Sequence, residues 1–375
     1  MRKLLFVLCF FVSYLVQAQD SLFFATQPVL TPDAKEIYFC YDGGIWRVPV
    51  IGGTAARVTA MAGYQISPKI SPDGKWLAFS SDEQGNNNVY VTPVTGGAIK
   101  QLTFHESSDI VSSWSPDSKY IYFESNRYNG RTTYKVSIDG GTPQRLFDGY
   151  FNTIVNLVQN PVDGKFYFNE SSESFNQPTR KGYKGDNNPD IKSWDPVKKQ
   201  YKQLTTYNGK DIWASVDNKG NLYWATDEKN GEYNIAFWDN GKPRILTDFT
   251  TAIHNPQVSY NGDKITFTKD YVIHVYDVAS GKVTVPSIKS YTGNRPDIEQ
   301  LYKTETNITA TDISPDGKKL AFISRGRLFI SDTKGLFIQP VNTDMKERVV
   351  EVKWVKDNKT LYYTRTRKGW YNLYK

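Results

Sequence analysis

One short phrase recurs along the chain and restricts what it can fold into. Ser71-Pro72-Asp73-Gly74-Lys75 runs into Trp76-Leu77-Ala78-Phe79-Ser80, and Ser115-Pro116-Asp117-Ser118-Lys119 runs into Tyr120-Ile121-Tyr122-Phe123-Glu124. The phrase opens at Thr31-Pro32-Asp33-Ala34-Lys35 and returns at Ser314-Pro315-Asp316-Gly317-Lys318. Looser copies stand at Asn160-Pro161-Val162-Asp163-Gly164-Lys165, Asp217-Asn218-Lys219-Gly220-Asn221, Tyr260-Asn261-Gly262-Asp263-Lys264 and Lys356-Asp357-Asn358-Lys359. Most copies lie about 40 to 46 residues apart, the period of a four-stranded propeller blade.

The second copy shows the unit. Gln65 to Ser71 reads as a strand, Pro72-Asp73-Gly74 turns it, and Trp76 to Ser80 returns. A second turn at Gln84-Gly85-Asn86-Asn87 leads to Val89-Tyr90-Val91-Thr92, and Gly96-Gly97 leads to a last strand from Ile99 to Phe104. Residues that accept positive φ or preset a tight turn flank every strand. A lone blade leaves apolar faces bare, and radial stacking covers them. Composition agrees: 20 Phe, 25 Tyr and 9 Trp against 3 Met favour strands, and the 27 Gly and 18 Pro are spread as turn residues are. An all-β fold is predicted.

Six blades are counted over residues 19–285, the first from Leu22 to Thr59 and the sixth from Ile253 to Val285. Each holds four strands of its own, so the ring is expected to lack a strand swap and to be held shut by packing alone. Residues 286–305 carry no repeat phrase, contain Gly293-Asn294-Arg295-Pro296, and read as a connector. The rhythm restarts over residues 306–375, which hold two blades of a second propeller, the last stopping on its third strand. A single eight-bladed ring is the competing arrangement. On the two-propeller reading, the incomplete last blade implies that this chain is the N-terminal piece of a longer one.

Residues 1–18 have the form of an export signal. Arg2 and Lys3 precede an uncharged apolar run from Leu4 to Val16, and Val16-Gln17-Ala18 presents small residues where a signal peptidase reads. The run is too short to span a bilayer, no Cys follows it to carry a lipid, and no stable membrane insertion is expected. The net charge of +7 comes from scattered residues, without the basic and aromatic stripe of a nucleic-acid groove. Of two cysteines, Cys9 lies in the leader, which leaves Cys40 to be a buried strand residue without a disulfide partner.

No residue of the sequence is nominated as catalytic. The three histidines, His105, His254 and His274, lack zinc-motif spacing, and neither a Gly-x-Ser-x-Gly elbow nor a Walker loop is present. No cofactor or metal site is expected. Asp186-Asn187-Asn188-Pro189-Asp190 begins like a calcium loop but places Ile191 where Gly is needed and has no closing Glu. The insertion Ser171 to Ser193 is more distinctive, since Arg180, Lys181 and Lys184 surround Tyr183 between two glycines. Those four residues are the candidate substrate-binding set, because cations beside a ring suit a carboxylate. A solvated loop tip or a contact with another domain is the alternative.

The Ser-Pro-Asp-Gly-Lys blades resemble those of TolB and tricorn propellers. Three features resemble the tricorn protease family in particular: six blades, a connector and a second propeller beginning; Lys181-Gly182-Tyr183-Lys184-Gly185; and Asp312-Ile313-Ser314-Pro315-Asp316 running to Ala321-Phe322-Ile323-Ser324-Arg325-Gly326 and Phe329-Ile330-Ser331-Asp332. The resemblance implies a serine peptidase acting on short peptides, with PDZ and catalytic domains beyond Lys375 and propeller channels that pass substrate or product. No catalytic residue carries over. Some members dock a substrate C-terminus with adjacent arginines before the third blade, where this chain reads Phe104-His105-Glu106-Ser107-Ser108-Asp109. With the leader, the resemblance points to a bacterial periplasmic relative, and assembly into a homo-oligomer is left open. The alternative is a stand-alone TolB-like propeller serving as a protein-interaction scaffold.

Overall fold

The computed structural model describes residues 22–128, 130–147, 153–291, 307–344, 347–367 and 370–375. The leader (1–18) and most of the expected connector (292–305) lie outside the described residues. The chain divides into two compact units, Met1–Tyr291 and Thr292–Lys375.

The repeat phrase folds through its own side chains. Ser71 Oγ donates to Asp73 Oδ1 at 2.6 Å and accepts the Trp76 N–H at 2.9 Å, while Asp73 Oδ1 takes the Lys75 N–H at 3.1 Å. Gly74 closes the turn at φ 72°, the left-handed region that a Cβ disfavours. The pattern recurs at Ser115 with Asp117, Ser314 with Asp316 and Thr31 with Asp33. Ser259 with Asn261 repeats it in a copy that had lost the phrase. Because Ser71 is fully buried, Ser71→Ala strands the Trp76 amide. A loss of about 1–3 kcal/mol is expected in urea denaturation.

Each phrase joins the first two strands of an antiparallel blade, four-stranded for every copy but the last. The first unit holds six blades, from Thr26–Leu30 with its partners Glu36–Tyr41, Gly44–Pro49 and Gly52–Arg57 to Ile253–Val258 with Lys264–Lys269, Val272–Asp277 and Val283–Thr284. The first strand of every blade lies beside those of its two neighbours, and the sixth returns to the first, so six innermost strands line the axis. Beyond the first blade the outermost strands of the first unit are short, two to four residues. In the second blade the fourth strand is only Lys100–Gln101, where the sequence predicts a run from Ile99 to Phe104.

Blades adhere through apolar side chains in the interleaf spaces. Ala78, Val89 and Val91 meet Val111, Ile121, Phe123 and Val136 between the second and third blades. Cys40 is buried and free in Glu36–Tyr41, as expected of a strand residue.

The expectation of a ring closed by packing alone is corrected. Every blade does keep its own four strands, but Ser287–Ser290, just past Val285, pairs in parallel with the outer strand of the first blade. Ser287 stands opposite Gly52 and Ser290 opposite Ala55. Ile288, only 4% exposed, joins the core where Ile37, Phe39, Trp46 and Val48 of the first blade meet Ile273 and Val275 of the sixth. Part of the presumed connector is thus a fifth strand that latches the seam. Parallel pairing leaves no turn signature in a sequence, which is why strand counting misses it.

In the second unit, Ile308–Ile313, Lys319–Ser324, Arg327–Asp332 and Ile338–Pro340 form a four-stranded sheet. Val349–Trp354, Leu361–Arg367 and Trp370–Tyr374 form a three-stranded one. Ala321, Ile323, Leu328, Val349 and Val352 make their shared core.

Candidate functional site: an axial channel

The innermost strands of the first unit enclose a cavity of about 1030 Å³. Its wide end is bordered by loops between second and third strands, including the insertion of the fourth blade. At the other end a recess of about 120 Å³ is bordered by Pro32, Pro72, Pro116 and Pro161 of the repeat turns. Val29, Lys69, Val158 and Gln257 line both spaces, so the waist of the channel lies at their level.

These positions follow the repeat. Val29, Lys69 and Val158 stand two residues before their phrases, as do Ser113 and Ser215, which also line the recess, and Gln257 stands two before Ser259, the counterpart of Ser71. A six-membered ring of Val29, Lys69, Ser113, Val158, Ser215 and Gln257 is therefore set by the register of the blades. Above it, five innermost strands bulge at residues in left-handed conformation: Gln27 (φ 51°), Ser67 (54°), Asn156 (54°), Trp213 (60°) and Asn255 (50°). Such bulges re-aim backbone groups and cluster at barrel rims and sites. Side chains of neighbouring blades take two of the freed amides: Gln27 Oε1 accepts from Ser67 N at 2.7 Å, and Glu124 Oε1 from Asn156 N at 2.7 Å.

Charge in the wide cavity is mostly paired. Arg131 Nε meets Glu124 Oε2 at 2.9 Å, and Lys181 Nζ meets Glu232. Arg180 grips both oxygens of Glu173 at 2.8 and 2.7 Å. Lys210 Nζ, with no exposed side-chain surface, reaches Glu173 Oε1 at 2.8 Å. Burial alone would raise the Glu173 carboxyl, but hydrogen bonds from Lys210 and Arg180 outweigh it and hold the group below the ordinary carboxylate range. His254 lies edge-on to Trp213, ring centres 5.9 Å apart. Burial, then the nearby Lys181 charge, lowers its pKa, so the imidazole is neutral at neutral pH. Lys69 Nζ donates to the neutral Gln257 Oε1 at 2.7 Å, and burial pulls the lysine down to about 8. At the mouth, Phe24 and Tyr271 stand 69% exposed with ring centres 5.3 Å apart, Phe24 N donating to the Tyr271 carbonyl at 2.9 Å.

The insertion carries the residues singled out in the sequence. Arg180 and Lys181 line the cavity, each already on a carboxylate. Tyr183 sits beneath the Arg180 guanidinium, 4.0 Å from cation to ring centre. Lys184 is exposed and does not line the cavity. The set therefore does not converge as four free groups; its cation–ring pair is internal to the loop. Lys69, Gln257, Glu124 and Arg131 were missed, and the offset from the repeat phrase was the signal that finds the first two. Among the described residues, no three His, Cys, Asp or Glu side chains gather as a metal ion requires, and no helix is long and apolar enough to cross a membrane.

Six four-stranded blades around a tapered axial cavity define a six-bladed β-propeller. Residues 24–282 match the family described as the tricorn protease N-terminal beta propeller domain, and the chain belongs to that family. Its fold is similar to the crystal structure of the tricorn protease, with a TM-score of 0.64 at 18% identity over 91% of this chain. The match covers 33% of that protein, so the chain spans a third of its length. The crystal structure of a nidogen/laminin complex contains a chain that is similar at a TM-score of 0.50 and 15% identity, over 66% of this chain and 91% of that one. A TolB from Agrobacterium tumefaciens shows a TM-score of 0.46 and 20% identity, over 71% and 80%. No curated protein matches the sequence.

Proposed function

We propose that the first unit is the peptide-passing channel of an exported tricorn-like serine peptidase, whose PDZ and catalytic domains are supplied outside this chain. The observation that carries this is the axial cavity itself, wide and charged at one end and narrowed to a ring at the other. Such a space suits an extended peptide entering end-on. The leader at residues 1–18 places the protein in a bacterial periplasm on this reading. Arg180 and Lys181 form part of the rim that a peptide meets first, with Tyr183 beneath Arg180 and Lys184 exposed on the same loop, and no cofactor takes part. The second reading, a free-standing interaction scaffold, is supported by the exposed Phe24 and Tyr271 at the mouth.

The test uses the protein at its native length, purified from the periplasm. Val158→Trp fills the waist from an aliphatic position. Hydrolysis of peptides is expected to fall about tenfold or more in kcat/KM, with thermal unfolding unchanged. Peptidase activity indifferent to the substitution overturns the channel role. A native protein no longer than this chain and without peptidase activity leaves the scaffold.

A further inference from the structure

We propose that Lys69 is a carboxylate-binding station at the waist of the channel, selecting for peptides that present an acidic group there; this rests on the channel reading above. The waist ring contains two valines, two serines, one glutamine and one lysine. Both serines are turned to the main chain: Ser113 Oγ donates to the Leu157 carbonyl at 2.6 Å, and Ser215 Oγ accepts from Val258 N at 3.0 Å. The polar ends left to face the axis are the Lys69 ammonium and the Gln257 amide. The Gln257 Nε2 donates to the Pro256 carbonyl at 2.9 Å, which turns its oxygen to Lys69.

Lys69 differs from the other cations of the cavity. Arg131, Arg180 and Lys181 each sit on a carboxylate, whereas Lys69 is held by a neutral amide oxygen. The carboxylate that acts on it electrostatically is Glu124, and that group is engaged by Arg131 and the Asn156 amide. An ammonium has three N–H donors, and Gln257 satisfies one. The Trp114 Nε1–H fixes the backbone beneath it through the Lys69 carbonyl at 2.9 Å. An arriving carboxylate exchanges a neutral acceptor for a charged one in a confined, low-dielectric ring, where charge-assisted bonds are about twice as strong. A lysine or arginine side chain at the same level meets a fixed like charge. Two sources supply the chemistry, an acidic side chain or a peptide C-terminus.

Calorimetric titration of the full chain at pH 7 separates them. The probes are acetylated, C-amidated hexapeptides, otherwise neutral, with a central glutamate, glutamine or lysine, and the glutamine peptide with a free C-terminus. The glutamate peptide is expected to bind about tenfold or more tighter than its glutamine counterpart, and the lysine peptide more weakly than either. A gain in the free-terminus peptide assigns the station to C-termini, a gain confined to glutamate assigns it to side chains, and either supports the inference. Lys69→Met should erase the gain of glutamate over glutamine, and Lys69→Arg should keep it. Thermal unfolding of both variants verifies the fold. Equal affinity of wild type for all four peptides, or a gain that survives Lys69→Met, overturns the station while the channel reading stands. If none of the four binds, the channel reading falls with it.

Discussion

Glu173→Gln is expected to cost the first unit about 3–5 kcal/mol in urea denaturation, the range seen when one partner of a buried ion pair is removed. The side chain is nearly buried and holds two cations, one of which, Lys210, has no surface exposed at all. Without the carboxylate charge, Lys210 retains the Gln177 carbonyl as an acceptor and becomes an underpaired charge in the interior. Removing the second charge as well tests the cause. Lys210→Met combined with Glu173→Gln should be more stable than Glu173→Gln alone, a coupling that independent sites do not show. The same pair makes stability depend on pH. The Glu173 carboxyl is held below its unfolded value, so its contribution is full above about pH 5 and is lost as pH falls below about 4 through the folded pKa. A flat difference between wild type and Glu173→Gln across that window counts against the ion-pair account.

Ile288→Ala is expected to lower stability by about 2–5 kcal/mol, the cost of a buried Ile→Ala cavity. The consequence should be local as well as global, because the side chain fills the one interleaf space closed by the latch. Amide exchange of Gly52–Arg57 and Val272–Asp277 should accelerate more than that of the third or fourth blade. Gly52→Val reaches the latch from the other side. Gly52 has φ +95°, and a Cβ there falls 2.5 Å from the Ser287 carbonyl oxygen. The substitution cannot keep both the backbone conformation and the parallel pairing. Uniform exchange in both variants would mean that packing of the two blades, and not the added strand, holds the seam.

Much of this architecture was legible because its cause is local. Ser71 reaches only as far as Asp73 and Trp76, so the same hydrogen bonds form wherever the phrase is copied, and blade count and turn positions follow. The ring at the waist was missed although its signal is local, since an offset of two residues from Ser71 and from Ser259 locates Lys69 and Gln257 on their innermost strands. The insertion of the fourth blade was visible as an interruption of the repeat. Its charge arrangement was not, because Arg180 and Lys181 find Glu173 and Glu232 only after the chain has turned and the fifth blade has docked.

From the sequence alone come the all-β fold, the six-blade count and the buried place of Cys40, all set by contacts within a few residues or by alternation along a strand. Tertiary structure alone decided three things. The Ser287–Ser290 latch joins strands more than two hundred residues apart; Glu173 takes up both Arg180 and the buried Lys210; and Lys69 meets Gln257 across the axis. Each depends on where ring closure brings distant backbone, and no local propensity encodes that distance.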